Sequence, residues 1–219
     1  MKNIINKYFY FKIILLIFTD LIIGIKYFLG FKDTLSGSRH LNKSIDYSIN
    51  YINNVFNDYC KYGDIDIKKV RNVAELGPGD NYGVALLFKS KGAEKIDLID
   101  KFYSSKKNDD QSKIYKKLIN KSTSNDNFNK TLTFENLIKH INFNLGISAE
   151  NYFKKNKKKY DLIISRAVME HLRYPIQTLK AMINSMTPNG KILHRIDLRD
   201  HGMFSSNFYE LKFLEIPFT

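Results

Sequence analysis

Two acids and a pair of glycines have the types and spacing that ligand chemistry requires. Glu75, Gly77 and Gly79 stand in the stretch ELGPG at the end of the apolar run VRNVAEL. Asp100 ends a second apolar run, KIDLID, 21 residues after Gly79. Glycines allow a tight turn and a close approach of backbone to ligand, and an acid at a strand end accepts hydrogen bonds from sugar hydroxyls. The pattern predicts a site for a nucleotide-like ligand.

The spacing of the glycines disfavours a dinucleotide as that ligand. A dinucleotide-binding loop reads G-x-G-x-x-G, whereas the third glycine here, Gly83, comes one residue too late. Glu75 would repel a pyrophosphate and suits a ligand that carries a cation. The loop therefore favours a ligand that carries a cation over a nicotinamide cofactor.

Short apolar runs alternate with helical stretches from residue 68 onward, which predicts how these residues are positioned. Five strands are predicted, at residues 70–76, 95–100, 140–145, 160–167 and 190–198. This alternation predicts an α/β fold, with a Rossmann-like, mostly parallel sheet and helices on both faces in three layers. The predicted domain covers residues 68–219 and carries a helical and loop insertion at residues 101–139, with a flexible loop at 120–130. An N-terminal helical arm covers residues 1–67 and is apolar at 11–31.

At these residues the sequence resembles the class I S-adenosylmethionine-dependent methyltransferases. ELGPG matches the first motif of that family, E/D-x-G-x-G, and YDLIISRAVMEHL is similar to its fourth-strand segment. SAEN, residues 148–151, is similar to its DAEN adenine segment, with Ser148 in place of an acid. MTPNGKI is similar to its proline–glycine turn, with Asn189 as the left-handed residue. The resemblance covers about residues 70–200, and HRIDLRDHG is similar to a stretch in members from surface-polysaccharide gene clusters.

The resemblance implies S-adenosyl-L-methionine as cofactor and a set of residues that bind it. Glu75 would lie near the methionine amino group, and Asp100 would bind the ribose hydroxyls. The implied cofactor-binding residues are Glu75, Gly77, Pro78, Gly79, Asp100, Ala149, Glu150 and Ser165.

Candidate catalytic groups cluster at the end of the last predicted strand. In HRIDLRDHG, His201 is a candidate general base, oriented by Asp197 or Asp200. His171 is a second candidate. The alternative for the HRIDLRDHG residues is an ion-paired strand end that fixes a loop, and the alternative for His171 is that it caps the local structure. The five histidines and the single cysteine show no metal-ligand spacing, so no metal is predicted.

The acceptor is predicted to be a small molecule or a glycan, methylated on a hydroxyl. The net charge of +13 raises nucleic acid as a partner, but the Pro-Pro and Pro-Cys motifs of base-methylating enzymes are absent. An RNA-binding or RNA-modifying methyltransferase remains an alternative. So does an inactive, truncated remnant, because the C-terminal strands of the fold look shortened after residue 202. The oligomeric state is left open.

The apolar stretch at residues 11–31 is interrupted by Lys12, Asp20 and Lys26, and its uninterrupted runs are too short to span a bilayer. Two alternatives remain: a helix packed on the domain, or a helix in a membrane interface as a peripheral contact. Cys60, the only cysteine, fits a reducing compartment. The predicted location is the cytoplasm, at the inner face of the membrane where the helix binds lipid.

Overall fold

A computed structural model of the chain describes residues 2–31, 33–34, 40, 43–104, 108–124, 134–156 and 159–199. The chain divides into two compact units. One comprises residues 33–196, and the other comprises residues 1–32 together with 197–219. His201 and the C-terminal strands that were predicted to be shortened lie outside the described residues.

The elements alternate along the chain as the sequence predicts. In chain order they are α1 (Lys2–Phe28), β1 (Asp33–Thr34), α2 (Ile45–Tyr62), β2 (Asn72–Leu76), α3 (Gly83–Ser90), β3 (Lys95–Asp100), β4 (Tyr103–Ser104), α4 (Asn108–Ser124), α5 (Phe134–Ile138), β5 (Ile141–Leu145), α6 (Ala149–Lys155), β6 (Tyr160–Arg166), α7 (Pro175–Asn184) and β7 (Met186–Arg195). Short 3₁₀ helices cover Ile67–Lys69 and Met169–His171.

The central sheet has five strands in the order β5-β3-β2-β6-β7, and every neighbouring pair is parallel. From β2 the chain extends the sheet first toward β3 and β5, and later toward β6 and β7. The order therefore reverses beside β2, and the loop after β2 lies at the carboxyl edge of this switch point, where open α/β sheets bind ligands. This topology confirms the predicted Rossmann-like α/β fold.

Helices cover both faces of the sheet. Side chains alternate between the two faces along each strand, so each strand contributes to a hydrophobic core on either side. Val73 and Leu162 pack with α2, α3, α4 and α5, whereas Ala74 and Ile163 pack with α6 and α7. Helix α2 is amphipathic and buries one stripe against the first of these faces. The members of that stripe are Ser48, Ile49, Ile52, Val55 and Tyr59. Residues 1–67, predicted as one arm, thus fall partly in each unit, and α2 belongs to the core of the sheet unit.

Strand β7 starts earlier than the sequence predicts, and the prediction of a left-handed turn at Asn189 is wrong. Among the described residues, only Asp64 and Ala167 have a positive φ without being glycine. The strand begins at Met186, and a register shift absorbs the extra residues, since Tyr160 pairs with Met186 but Leu162 pairs with Lys191. MTPNG is therefore an irregular part of the strand.

The insertion between β3 and β5 contains two helices, and the first of them extends into the predicted loop. Helix α4 continues to Ser124 and buries Ile114, Tyr115 and Leu118 beneath α2 and α3. Part of the predicted loop at 120–130 is therefore helical, and residues 125–133 lie outside the described residues.

Most of the apolar side chains that the structure describes in helix α1 are exposed. Five consecutive apolar residues, 14–18, are all exposed. Five consecutive positions go more than once round a helix of 3.6 residues per turn, so the exposed apolar surface is not confined to one side. Within the described residues, no helix is long and apolar enough to cross a membrane.

Candidate functional site

The loop after β2 needs its glycines. Gly77 and Gly79 have φ angles of 62° and 68°, in the left-handed region that favours glycine. A Cβ on Gly77 would also lie 2.4 Å from Cγ2 of Val168, which follows β6. The Gly77 amide donates to the carbonyl of Ile99 at 2.8 Å, so the loop is fixed against the end of β3.

A cleft opens between this loop and the ends of β3 and β5. It is lined by Pro78, Gly79, Tyr82, Leu98, Phe102, Tyr103, Ser104, Phe143 and Leu145. Tyr82 and Phe143 meet edge to face, with ring centroids 5.0 Å apart. A mostly apolar and aromatic wall of this kind suits a flat heterocycle.

Asp100 ends β3, and its neighbours in the chain, Leu98 and Phe102, line this cleft. Burial raises the pKa of its carboxyl, while backbone N–H groups of Phe102, Gly79 and Lys101 act in the opposite direction. The Phe102 amide donates to Oδ1 at 3.1 Å. The glycine loop and the acid therefore form one structural unit, as their spacing predicts.

Glu75 is buried without a hydrogen-bond partner at one oxygen. The side chain projects toward α2 and is 7% exposed, and within the described part of the chain Oε2 accepts no hydrogen bond. Burial raises the pKa of this carboxyl to about 8. A buried polar atom is normally satisfied, so this oxygen indicates a donor that a ligand would bring, and a cationic donor would also favour the ionised form.

Two arginines at the ends of β6 and β7 share one carboxylate on the α2 side. Oδ2 of Asp58, on α2, accepts from Nη1 of Arg166 at 3.0 Å and from Nη1 of Arg195 at 3.2 Å. The Arg166 guanidinium also lies over the ring of Tyr51, 5.5 Å from its centroid. These arginines were not among the predicted site residues, because their meeting depends on a contact with α2, more than one hundred residues away.

On the opposite face, Ser165 and His194 form a pair. They are register partners at the ends of β6 and β7, and Ser165 Oγ lies 2.7 Å from His194 Nδ1. Burial lowers the pKa of His194 to about 4, so the imidazole is neutral at pH 7. No described residue hydrogen-bonds to its buried Nε2. Sequence reasoning missed His194 as a site residue, although its place at a strand end was a usable signal.

The chain after β6 passes through a strained residue. Ala167 has a φ of 54°, an uncommon value for a residue with a Cβ. Its amide donates to the carbonyl of Arg195 at 2.8 Å, which holds the ends of β6 and β7 together. This bend places Val168 against Gly77.

The structure does not bring Ala149 and Glu150 to the cleft beside the glycine loop. Ser148 is the N-cap of α6 and accepts from the Asn151 amide. Ala149 packs in the core on the α6 and α7 face. Glu150 lines a separate cavity, together with Lys154, Tyr174, Gln177 and Thr178. The adenine role of this segment stays a prediction.

The predicted catalytic residues are not gathered into one described cluster. His171 is exposed at the end of a 3₁₀ helix. Asp197 belongs to the second unit and forms an ion pair with Arg199 at 2.6 Å. His201 and Asp200 lie outside the described residues. In the part of the chain that the structure describes, no group of acids, histidines and cysteine could hold a metal ion.

Comparison with models of protein families identifies the family of the chain. The family model described as a methyltransferase domain matches residues 53–218. The chain belongs to the methyltransferase domain family. The matched range contains the glycine loop, Asp100, and both pairs at the ends of β6 and β7. The predicted resemblance to class I methyltransferases is confirmed, whereas the similarity to members from surface-polysaccharide gene clusters stays a prediction. No curated protein sequence matches this methyltransferase-family chain.

Solved structures of methyltransferases are similar to parts of the chain. A protein from Methanococcus maripaludis, assigned as an S-adenosyl-L-methionine-dependent methyltransferase, is 14% identical with a TM-score of 0.43. The similarity covers 71% of this chain and 58% of that one. The O-methyltransferase from the trans-AT PKS multienzyme of Brevibacillus brevis, in complex with S-adenosyl-L-homocysteine, is 16% identical with a TM-score of 0.37, over 62% of this chain and 37% of that one. The chain thus spans less than two thirds of the length of either protein.

Proposed function

We propose that the protein is an S-adenosylmethionine-dependent methyltransferase that methylates a hydroxyl of a small-molecule or glycan acceptor. The observation that carries the cofactor assignment is the buried Oε2 of Glu75, which accepts no hydrogen bond from any described residue and lies beside the glycine loop. Family membership makes S-adenosylmethionine the cationic nucleoside that this oxygen suits.

The residues present fit that cofactor. Glu75 would accept from the ammonium group, and Asp100 would accept from the ribose hydroxyls. The backbone at Gly77 and Gly79 leaves room for the ligand to approach. The adenine would lie in the cleft whose wall includes Tyr82 and Phe143. Pro78 forms part of the same wall.

When bound, S-adenosylmethionine supplies a methyl group on a sulfonium, whose carbon–sulfur bond breaks as the acceptor oxygen–carbon bond forms. The protein must align the acceptor, exclude water and take the hydroxyl proton. Alignment alone supplies a large part of the rate acceleration, so the proposed reaction does not depend on a metal ion.

His194 is a further candidate for the base, beside His171, His201 and Asp197. Its imidazole is neutral at pH 7 and its Nδ1 is held by Ser165. In the tautomer whose Nδ1–H donates to Ser165 Oγ, the lone pair on Nε2 is free to take a proton. This assignment, like the three predicted ones, is part of the proposal.

Calorimetry with S-adenosyl-L-homocysteine tests the proposed cofactor site. Gly77→Ala should abolish binding, because the new Cβ would displace Val168 and with it the edge of the site. Gly92→Ala is the matched control: Gly92 also has a left-handed φ, of 109°, but a Cβ there would meet nothing closer than 3.8 Å. Asp100→Ala should weaken binding, whereas Glu94→Ala, which removes an exposed acid, should not. A folded wild-type chain that gives no binding heat would instead support the inactive remnant.

We also propose that α1 lies on an anionic lipid surface at the inner face of the membrane. Its exposed apolar side chains on all sides support this location, as do Lys26 in its last turn and the net charge of +13. The double variant Ile14→Asp with Phe18→Asp should lose co-sedimentation with phosphatidylserine vesicles. Ile176→Asp, at an exposed apolar site on α7, should not. Equal sedimentation of both variants would contradict this location.

A further inference from the structure

The cavity between α6 and α7 is separate from the cleft beside the glycine loop, since the two share no lining residue. Its volume is about 190 Å³, and each of its lining residues has a polar group: Glu150, Lys154, Tyr174, Gln177 and Thr178. Pockets for drug-sized ligands have volumes of about 300–1,000 Å³. The cavity therefore suits a single ring and is too small for a whole nucleoside.

Two helices bring these side chains together. Glu150 and Lys154 are four residues apart on α6, so they lie on one side of that helix. Gln177 and Thr178 belong to the first turn of α7, and Tyr174 is its N-cap. The buried Thr178 hydroxyl donates to the Tyr174 carbonyl at 2.9 Å. This bond fixes the start of α7, so this wall of the cavity has a defined shape.

Three side chains of the cavity have hydrogen-bonding groups to offer a ligand. No described residue forms a hydrogen bond or an ion pair with the side chains of Glu150, Lys154 or Gln177. They supply a carboxylate, an ammonium group and an amide, and hence both donors and acceptors. The two charges cancel, so the lining has no net charge. Tyr174 adds an aromatic ring that is 53% exposed and can be reached from solvent.

Both helices of the cavity follow segments that contact the proposed cofactor site. The loop that leads into α6 is held at Ile147, whose amide donates to the carbonyl of Asp100 at 3.2 Å. The segment that leads to α7 begins near Val168, which lies against Gly77. The cavity is therefore near the carboxyl edge of the sheet, on the face that bears the serine–histidine pair.

We propose that this cavity binds one sugar ring of the acceptor, so that the acceptor is a neutral glycan of at least two sugar units. A second unit is needed because the ring that receives the methyl group must lie at the cofactor and not in this cavity. The inference rests on the proposed function, whose acceptor it narrows to one class.

The chemistry of a sugar ring matches this lining. Its hydroxyls both donate and accept hydrogen bonds, so they suit a wall that combines a carboxylate, an ammonium group and an amide. One face of the ring consists of C–H groups, which pack on an aromatic side chain such as Tyr174. A lining without net charge favours a neutral sugar over a uronic acid or a sugar phosphate.

The rival interpretation is a groove that holds only water between two packed helices. Saturation-transfer NMR on the full chain separates the two, with the methyl glycosides of glucose, galactose, mannose and N-acetylglucosamine as probes. At least one probe should bind wild type. Tyr174→Ala should weaken that probe about fivefold, the range for an aromatic contact. Tyr62→Ala is the matched control, since it removes a tyrosine that is 76% exposed at the end of α2, and it should leave binding unchanged.

A second pair of variants tests the polar side of the cavity and does not depend on the folding of Tyr174→Ala. Glu150→Gln keeps the size of the side chain but loses a charged acceptor, and it should weaken the bound glycoside about tenfold. Glu135→Gln, which changes an exposed acid in the first turn of α5, should have no effect.

Each other outcome has a defined meaning. If none of the four glycosides binds, or if the cavity variants and their controls behave alike, the sugar site is wrong while the cofactor site stands. If S-adenosyl-L-homocysteine displaces the bound glycoside, the cavity is part of the cofactor site and the inference is also wrong. Wild-type protein that binds a glycoside but no S-adenosyl-L-homocysteine would instead overturn the proposed function, and with it the assignment of the sugar as an acceptor.

Discussion

The two faces of the sheet differ in chemistry at the same carboxyl edge. Glu75 and Arg166, a carboxyl and a guanidinium on neighbouring strands, lie on the α2 face. On the α6 and α7 face, Ser165 and His194 form a neutral pair. At the strand ends each face has a buried side-chain atom that no described residue hydrogen-bonds: Glu75 Oε2 on one face and His194 Nε2 on the other. Strand β6 contributes to both, since its consecutive residues Ser165 and Arg166 point to opposite sides.

Under the proposed function, this difference would let one edge of the sheet serve both the cofactor and the acceptor. Burial disfavours the charged form on either side, so it adds a proton to Glu75 and removes one from His194. Both groups are therefore mostly neutral at pH 7, and their pKa values are shifted in opposite directions. Under the proposed function, the α2 face would receive the ammonium of the cofactor, and the neutral face would receive an acceptor hydroxyl whose proton must be taken.

The largest expected effect comes from Glu75→Gln, measured by urea unfolding without ligand. Folded Glu75 keeps its proton up to about pH 8, whereas the unfolded group loses it above 4.5, so the free energy of unfolding falls as pH rises between these values. The variant should be more stable than wild type by on the order of 3 kcal/mol at pH 7. This advantage should vanish at pH 4. An advantage that is the same at both pH values would contradict the buried, uncompensated carboxyl.

His194→Asn probes the opposite face and should have a smaller effect. The unfolded imidazole gains a proton below pH 6.5 but the folded one only below about 4, so wild type loses stability as pH falls through this interval. Partial exposure reduces the loss to about 1–2 kcal/mol. The variant should lack this loss in urea unfolding at pH 7 and pH 5.

His171→Asn, which removes an exposed imidazole, is the control for that measurement. It should lose stability between pH 7 and pH 5 as wild type does. If His194→Asn behaves like the control, the neutral pair is not a distinct environment, and the contrast between the faces fails.

The features that could be predicted from the sequence are the local ones. ELGPG and Asp100 lie at consecutive strand ends, so the strand pattern and the glycine spacing were enough to bring them together. Asp58 meets Arg166 across 108 residues, and Ser165 meets His194 across 29. Those contacts depend on the packing of α2 and on the register of β6 against β7, which an irregular start of β7 shifts. Neither quantity can be read from residue types alone.

The pH dependence of ligand binding gives the smallest effect, and it tests the α2 face directly. Free Glu75 holds a proton below pH 8, and an ammonium ligand favours the ionised form, so binding must release that proton. The affinity for S-adenosyl-L-homocysteine should then rise about tenfold from pH 6.5 to 7.5, the limit for one proton. Binding of 5′-methylthioadenosine, which has the adenosine and the thioether but no amino acid group, should stay constant, as should binding of either ligand to Glu75→Gln. A rise shared by both ligands would place the titrating group at the adenosine end of the site and remove Glu75 from the recognition of the ammonium.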